Sequence, residues 1–296
     1  MRLASFNVLH GGTLDGSHAP LDDLVAACLS LEADVLCLQE IDRDQPRSGG
    51  VDQTRVTAEA MGAVAWRFQP ALIGEPGGSW RVAADDDDVA VTDSGPAAAA
   101  YGVGLISRWP VTRWRVTRLA AARVRSPVFV PGRKAVILLA DEPRVSLSAE
   151  IQTPAGRLIV ATTHLSFVPG WNVVQLRQVT RALAGEGGPC VLLGDLNLPG
   201  PVPPLVSGWR SLGRVATFPA DRPSVQIDHA LGHGAVPEVT AVEARRLPIS
   251  DHRALLVDLS GPQSEVPGPS GPQSGVPGPS GPQSGVPGPS GPQSGV

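Results

Sequence analysis

Lysine is almost absent from this chain: Lys134 stands alone among 24 basic residues, and arginine supplies the rest. Cysteine is scarce too. Cys28, Cys37 and Cys190 are too few for a disulfide framework, and each sits in an apolar stretch, as reduced core thiols of a cytoplasmic protein would. No apolar run reaches the roughly 18 residues of a membrane-spanning helix. The first residues, Met1-Arg2-Leu3-Ala4-Ser5-Phe6-Asn7, lack the apolar run and cleavage site of a signal peptide. Net charge is -4, so no overall basic field marks a nucleic-acid partner. Aromatics make up only 4%, thin material for base stacking; Trp171, after Gly170, is the best placed to meet a substrate. Neither His-Glu-x-x-His nor Cys-x-x-Cys occurs, which argues against zinc.

What is present is 42% hydrophobic residue in 296, enough for one sizeable core. From Gly261 onward the composition changes to Gly-Pro-Gln-Ser-Gly-Val-Pro-Gly-Pro-Ser, repeated with a ten-residue period. A period of ten breaks the Gly-every-third phase of collagen, and only valine recurs as an apolar residue. Residues 260–296 therefore read as a disordered Gly/Pro/Ser/Gln decapeptide-repeat tail, and residues 1–259 as the folded domain. Deleting residues 261–296 should leave melting temperature and turnover unchanged; a drop of several degrees in a thermal melt would show that the tail docks.

Within the domain, strand and helix patterns alternate. Strands are expected at Leu3–Leu9, Val35–Leu38, Tyr101–Ser107, Ala135–Ala140, Val145–Ile151, Leu158–Thr163, Val191–Leu193, Ile227–Leu231 and Ala254–Leu259. Helices are expected at 21–29, at Thr54–Met61 and through Val173, Leu176, Val179 and Leu183. Residues 74–98 read as a surface excursion, with Asp85 to Asp88 a solvated acidic run rather than a calcium loop. Strands outnumber helices and several follow one another directly, which points to an α/β or α+β sandwich rather than a doubly wound sheet.

Polar residues cluster where these strands end: Asn7, Glu40, His164, Asp195 with Asn197, Asp228, and Asp251 with His252. Singly, each reads equally well as a turn former, a cap or a satisfied structural histidine. Jointly, their chemistry agrees. Asn, Glu and Asp offer the hard oxygens that suit Mg²⁺ or Mn²⁺. Histidines beside carboxylates can shuttle a proton or place a positive charge beside a phosphoryl group. Metal, oriented water and histidine together point to phosphoester hydrolysis.

The motifs Ser-Phe-Asn-Val, Leu-Gln-Glu, Ser-Arg-Trp-Pro, Thr-His-Leu, Gly-Asp-Leu-Asn, Ile-Asp-His and Ser-Asp-His, in this order over residues 1–259, resemble those of the endonuclease/exonuclease/phosphatase superfamily, the deoxyribonuclease I-like fold. The resemblance implies an α/β (α+β) fold, a four-layer sandwich of two packed mixed β-sheets flanked by helices. It also implies a metal-dependent phosphoesterase using Mg²⁺ or Mn²⁺, with Asn7, Glu40 and Asp251 at the metal. Asp195 would align or deprotonate the attacking water and Asn197 orient the phosphate. His252, partnered by Asp228, and His164 would face the phosphate. Val103 stands where many members carry asparagine, removing one polar contact on the phosphate side.

The leading expectation is an endonuclease- or exonuclease-type hydrolase of phosphodiester or phosphomonoester bonds, a cytoplasmic monomer whose substrates could include nucleic acid. The alternatives are a phosphatase or phospholipase C-like enzyme on inositol phosphate or lipid substrates, and a catalytically silent binding module. Arg108, Arg113, Arg115, Arg118, Arg123, Arg125, Arg133 and Lys134 fall within 27 residues. They read either as a basic rim for a phosphate backbone or as exposed strand and loop positions.

Overall fold

Alternation along each central strand divides its side chains between two apolar clusters, and that division builds the layers. One sheet has seven strands in the order β14 (Val239–Arg245), β15 (Ala254–Leu259), β1 (Arg2–Asn7), β2 (Val35–Arg43), β5 (Ala100–Ser107), β3 (Ala65–Gly74) and β4 (Trp80–Val82). The other has six: β12 (Arg210–Ser211), β13 (Asp228–His233), β11 (Cys190–Asp195), β10 (Gly156–His164), β9 (Arg144–Thr153) and β6 (Val111–Leu119). Strands β7 (Arg125–Val130) and β8 (Ala135–Ala140) pair separately. Both large sheets are mixed: β1–β2 and β10–β11 are parallel, and the other pairs antiparallel.

Leu3, Val35, Cys37, Val160, Val191, Leu193, Leu255 and Val257 meet between the sheets. Ala4, Phe6, Leu36 and Leu38, on the opposite strand faces, pack with Leu24 and Cys28 of α1 (Leu21–Leu29) and Ala58 of α2 (Gln53–Ala60). Ile159, Ala161 and Leu192 do the same with Leu176, Val179 and Leu183 of α3 (Trp171–Ala184). The result is the expected four-layer sandwich of two mixed sheets flanked by helices. Each fully buried Leu, Ile, Val or Phe contributes about 1.5–3 kcal/mol, so these rows supply the driving force. The three cysteines are free and buried, and burial pushes the Cys28 and Cys37 thiols up to about 12 and Cys190 to about 11.

The computed structural model describes residues 1–84, 98–130 and 135–261, without the side chains of 127–130 and 135–137. The acidic run at 85–88, Arg133, Lys134 and the repeat beyond residue 261 lie outside the described residues. Of the expected surface excursion, 74–84 forms a hairpin end: Leu72 pairs with Val82 and Gly74 with Trp80. Strands β3, β4, β6, β12 and β14 carry little strand signal in the sequence. Most of them lie at or next to sheet edges, where one face stays wet and the apolar pattern thins out.

Gly194 shows how closely β10 and β11 approach. Its φ is +148°, and a Cβ there would lie 1.9 Å from the Thr163 carbonyl oxygen. Gly194→Ala should therefore cost more than about 3 kcal/mol in chemical denaturation, above the usual range for a point substitution.

Candidate active site

Between the sheets, each inward-facing row runs apolar and then ends polar at the same edge of the sandwich. Leu3 and Ser5 lead to Asn7; Leu158, Val160 and Thr162 lead to His164; Val191 and Leu193 lead to Asp195. Register places His164 opposite Asp195, and Asp195 opposite Asp228, so three adjacent strands line these residues up. Because β13 and β15 run antiparallel to β11 and β1, their starts lie at this same edge, bringing in Asp228 and the Asp251–His252 turn. The site is the open end of the inter-sheet core.

Glu40 breaks the alternation. Leu36 and Leu38 face the helices, so regular pleating would turn Glu40 that way too. A bulge between Gln39 and Ile41, with Glu40 at φ +53°, reverses the parity: Ile41 takes the helix side and Glu40 the site side. Asn197 (φ +49°) and Ser250 (φ +71°) also hold left-handed backbone here. Three non-glycine residues in that region, at one edge, mark strain kept for placement. Ser250 has a packing role in return: its hydroxyl donates to the Asn7 carbonyl (2.6 Å) and accepts from His252 N (3.0 Å).

Asn7 Nδ2 donates to Glu40 Oε1 (3.1 Å) and Asp195 Oδ2 (3.2 Å). Asp195 Oδ2 lies 3.5 Å from His164 Nε2 and 3.7 Å from His252 Nε2, between two imidazoles. His252 Nδ1 meets Asp228 Oδ2 at 2.9 Å, and Asp251 Oδ1 lies 3.9 Å from its Nε2. Burial opposes charge on His252, but Asp228, Asp195 and Asp251 outweigh it and raise its pKa to about 10. Burial raises Glu40 and Asp195 above the ordinary carboxylate range. Asn197 N donates to Asp195 Oδ1 (2.9 Å), and Asn172 Nδ2 on α3 holds the Asn197 carbonyl (2.8 Å).

All eight residues anticipated at the strand ends thus meet in one place. A model of the Endonuclease/Exonuclease/phosphatase family matches residues 4–252. The chain belongs to that family. Family members hydrolyse phosphoester bonds. Solved structures agree on the fold. An endonuclease/exonuclease/phosphatase from Beutenbergia cavernae is 21% identical, with TM-score 0.56 over 88% of this chain and 71% of that one. A mannosyl-6-phosphatase from Bacteroides thetaiotaomicron is 14% identical, with TM-score 0.57 over 88% and 100%. Sphingomyelinase C from Streptomyces griseocarneus is 14% identical, with TM-score 0.54 over 88% and 99%. No curated protein matches the chain in sequence.

The family site here includes residues that sequence reading missed. Arg144, at the start of β9, is 7% exposed, and its Nη1 donates to His164 Nδ1 at 3.2 Å. Arginine only donates, so His164 Nδ1 accepts from it, while Nε2 lies 3.5 Å from Asp195 Oδ2 and 3.1 Å from Asn197 Nδ2. Burial, Arg144 and His252 hold the His164 pKa well below its usual value, which keeps this ring neutral. Tyr101, the only tyrosine, is buried near Arg144 and Glu40, and burial raises its hydroxyl pKa well above normal. Gln39 ties the sheets together beneath the site, accepting from Ser5 Oγ (3.3 Å) and donating to Thr162 Oγ1 (2.9 Å). For Tyr101 and Gln39 the signal lay in position: polar residues that continue apolar rows.

Trp171 Nε1 donates to the Ala120 carbonyl (2.9 Å), which ties the half-buried ring and the start of α3 to the end of β6. Val103 lies in the inter-sheet core opposite Gln39, below the polar edge. Among the described residues, three arginines of the run are held in different places. Arg108 Nε donates to Ala33 O near the opposite end of β2, Arg115 pairs with Glu186 at 3.3 Å, and Arg118 donates to Pro70 O and Ala84 O.

Glu40 and Asp251 present hard oxygens, the Asn7 amide lies against Glu40 and Asp195 with its Oδ1 accepting from Leu9 N (3.1 Å), and the carboxylates of half-buried Glu40 and buried Asp195 concentrate negative charge that a divalent cation would neutralise. This donor chemistry fits Mg²⁺ or Mn²⁺. Asp195, Asp228 and His252 also lie close enough to hold an ion, with ligand atoms within 4.8 Å of one another. A histidine kept protonated up to about pH 10 is a poor ligand, so the first set fits better.

Proposed function

We propose that the chain is a Mg²⁺- or Mn²⁺-dependent phosphoesterase that cleaves phosphodiester or phosphomonoester bonds at the open end of the inter-sheet core. The observation that carries this reading is Asp195: one buried carboxylate set between the Nε2 atoms of His164 and His252, with Asp228 holding the far side of His252.

Asn7, Glu40 and Asp251 would hold the metal ion, which supplies charge to a phosphoryl oxygen when bound. Asp195, with its raised pKa, orients the attacking water and accepts its proton. His252, as imidazolium, donates from Nε2 to the phosphoryl oxygens, where negative charge grows in the transition state. His164, held neutral by burial and Arg144, borders the same space. Asn197 holds Asp195 by its backbone and offers its side chain beside His164 at 3.1 Å.

Cleavage of bis-p-nitrophenyl phosphate by the purified chain tests the reading. Release of p-nitrophenol should need added Mg²⁺ or Mn²⁺ and stop with EDTA. Metal-independent cleavage, or binding of phosphate esters without turnover, would favour a different chemistry or the silent binding module.

A further inference from the structure

A cavity of about 370 Å³ lies where the edge strands β4 and β6 of the two sheets come together. Ala71, Trp80, Val82, Leu119 and Pro143 give it apolar walls, and Arg144 lines it as well. Arg144 is therefore common to two places: it borders this cavity and also bonds His164 in the site. Its Nε is buried and makes no hydrogen bond.

We propose that this cavity binds an apolar ester arm of the substrate, an alkyl or aryl group on the phosphate held at His164 and His252. This rests on the phosphoesterase reading above and narrows it to a substrate class. The volume falls within the range of small-molecule sites, about 300–1,000 Å³. The chemistry of the walls selects the occupant. Arg118 also borders the cavity, but its donors are engaged with the Pro70 and Ala84 carbonyls, which braces it at the wall. Among the described residues, no carboxylate, amide or hydroxyl side chain lines the cavity to read a base edge or pair sugar hydroxyls. A sugar or nucleoside would lose hydrogen bonds to water there and regain few. An alkyl chain loses nothing. Trp171 and Gln175 both donate to the Ala120 carbonyl at 2.9 Å, which fixes the β6 end of the wall in place.

The test compares methyl, butyl and hexyl p-nitrophenyl phosphates, together with thymidine 5′-p-nitrophenyl phosphate, under one metal concentration. KM should fall about fourfold for each methylene that enters the cavity. The methyl-to-butyl KM ratio should collapse toward one in Ala120→Trp, which fills the space, and in Val82→Asp, which charges an exposed wall. Reading a ratio within each enzyme cancels any general loss of activity. Equal KM for methyl and butyl esters in the wild type, or a preference for the thymidine ester, overturns the proposal while leaving the phosphoesterase intact. If no ester is cleaved, that reading fails, and the cavity is judged by calorimetric titration with methyl- and butylphosphonate. At least tenfold tighter butylphosphonate binding supports the cavity as an arm site; equal affinity overturns it.

Discussion

Replacing His252 with alanine is expected to lower turnover by about 10²–10⁴, the scale of general acid–base groups. Asp228→Asn should approach it. The amide keeps the shape and a hydrogen bond to Nδ1 but removes the buried charge that, with Asp195 and Asp251, holds His252 protonated to about pH 10. The direction of the pH effect follows. The wild-type profile should stay active into the alkaline range and fall as His252 loses its proton. In Asp228→Asn that basic limb should move to lower pH. The two residues act as one unit, so the double variant should lose little more than His252→Ala alone. Rate against pH for the wild type, both single variants and the double decides the matter. Additive losses with an unmoved basic limb would show two independent sites. The same linkage reaches stability. A histidine raised from 6.5 to about 10 by folding contributes stability that is complete below pH 6.5 and lost as pH rises through 10. Denaturant midpoints should record that loss, and it should shrink in Asp228→Asn.

Glu40→Gln should separate activity from stability. The glutamine retains an oxygen for Asn7 Nδ2 but gives a metal ion only a dipole. The metal concentration for half-maximal rate should rise by more than the roughly 10–100-fold that outer partners of a metal site cost. Stability should move the other way. Burial raises the Glu40 pKa, so its charged form is strained in the folded chain without metal. The neutral variant should therefore melt at the same temperature as the wild type or higher in EDTA, a trade between stability and activity. A Mg²⁺ titration of activity that superimposes on the wild type would remove Glu40 from the metal.

Much of the site was legible because inward-facing rows end in polar residues and the strands carrying them are the most apolar in the chain. Val35-Leu36-Cys37-Leu38 and Val191-Leu192-Leu193 announce buried strands, and Glu40 and Asp195 follow within two residues of them. The edge strands hid because solvent covers one side of them. Arg144 hid for a different reason. It stands among ordinary arginines in the sequence, and nothing local distinguishes a guanidinium that ends up buried beside His164 from one that ends up in water.

The sequence by itself determined the layers, the order of the central strands' polar ends and the kinds of atoms gathered there, since alternation and side-chain chemistry are local properties. Only the tertiary structure decided which of those atoms touch. The antiparallel return of β13 and β15 sets Asp228 and His252 against Asp195, although 33 and 57 residues of chain separate them. The bulge at Glu40 turns that carboxylate from the helices to the site. Charge on His252, neutrality of His164 and the cavity between β4 and β6 all depend on distances across the sandwich. Those distances are fixed by packing many side chains at once, and no short stretch of sequence contains them.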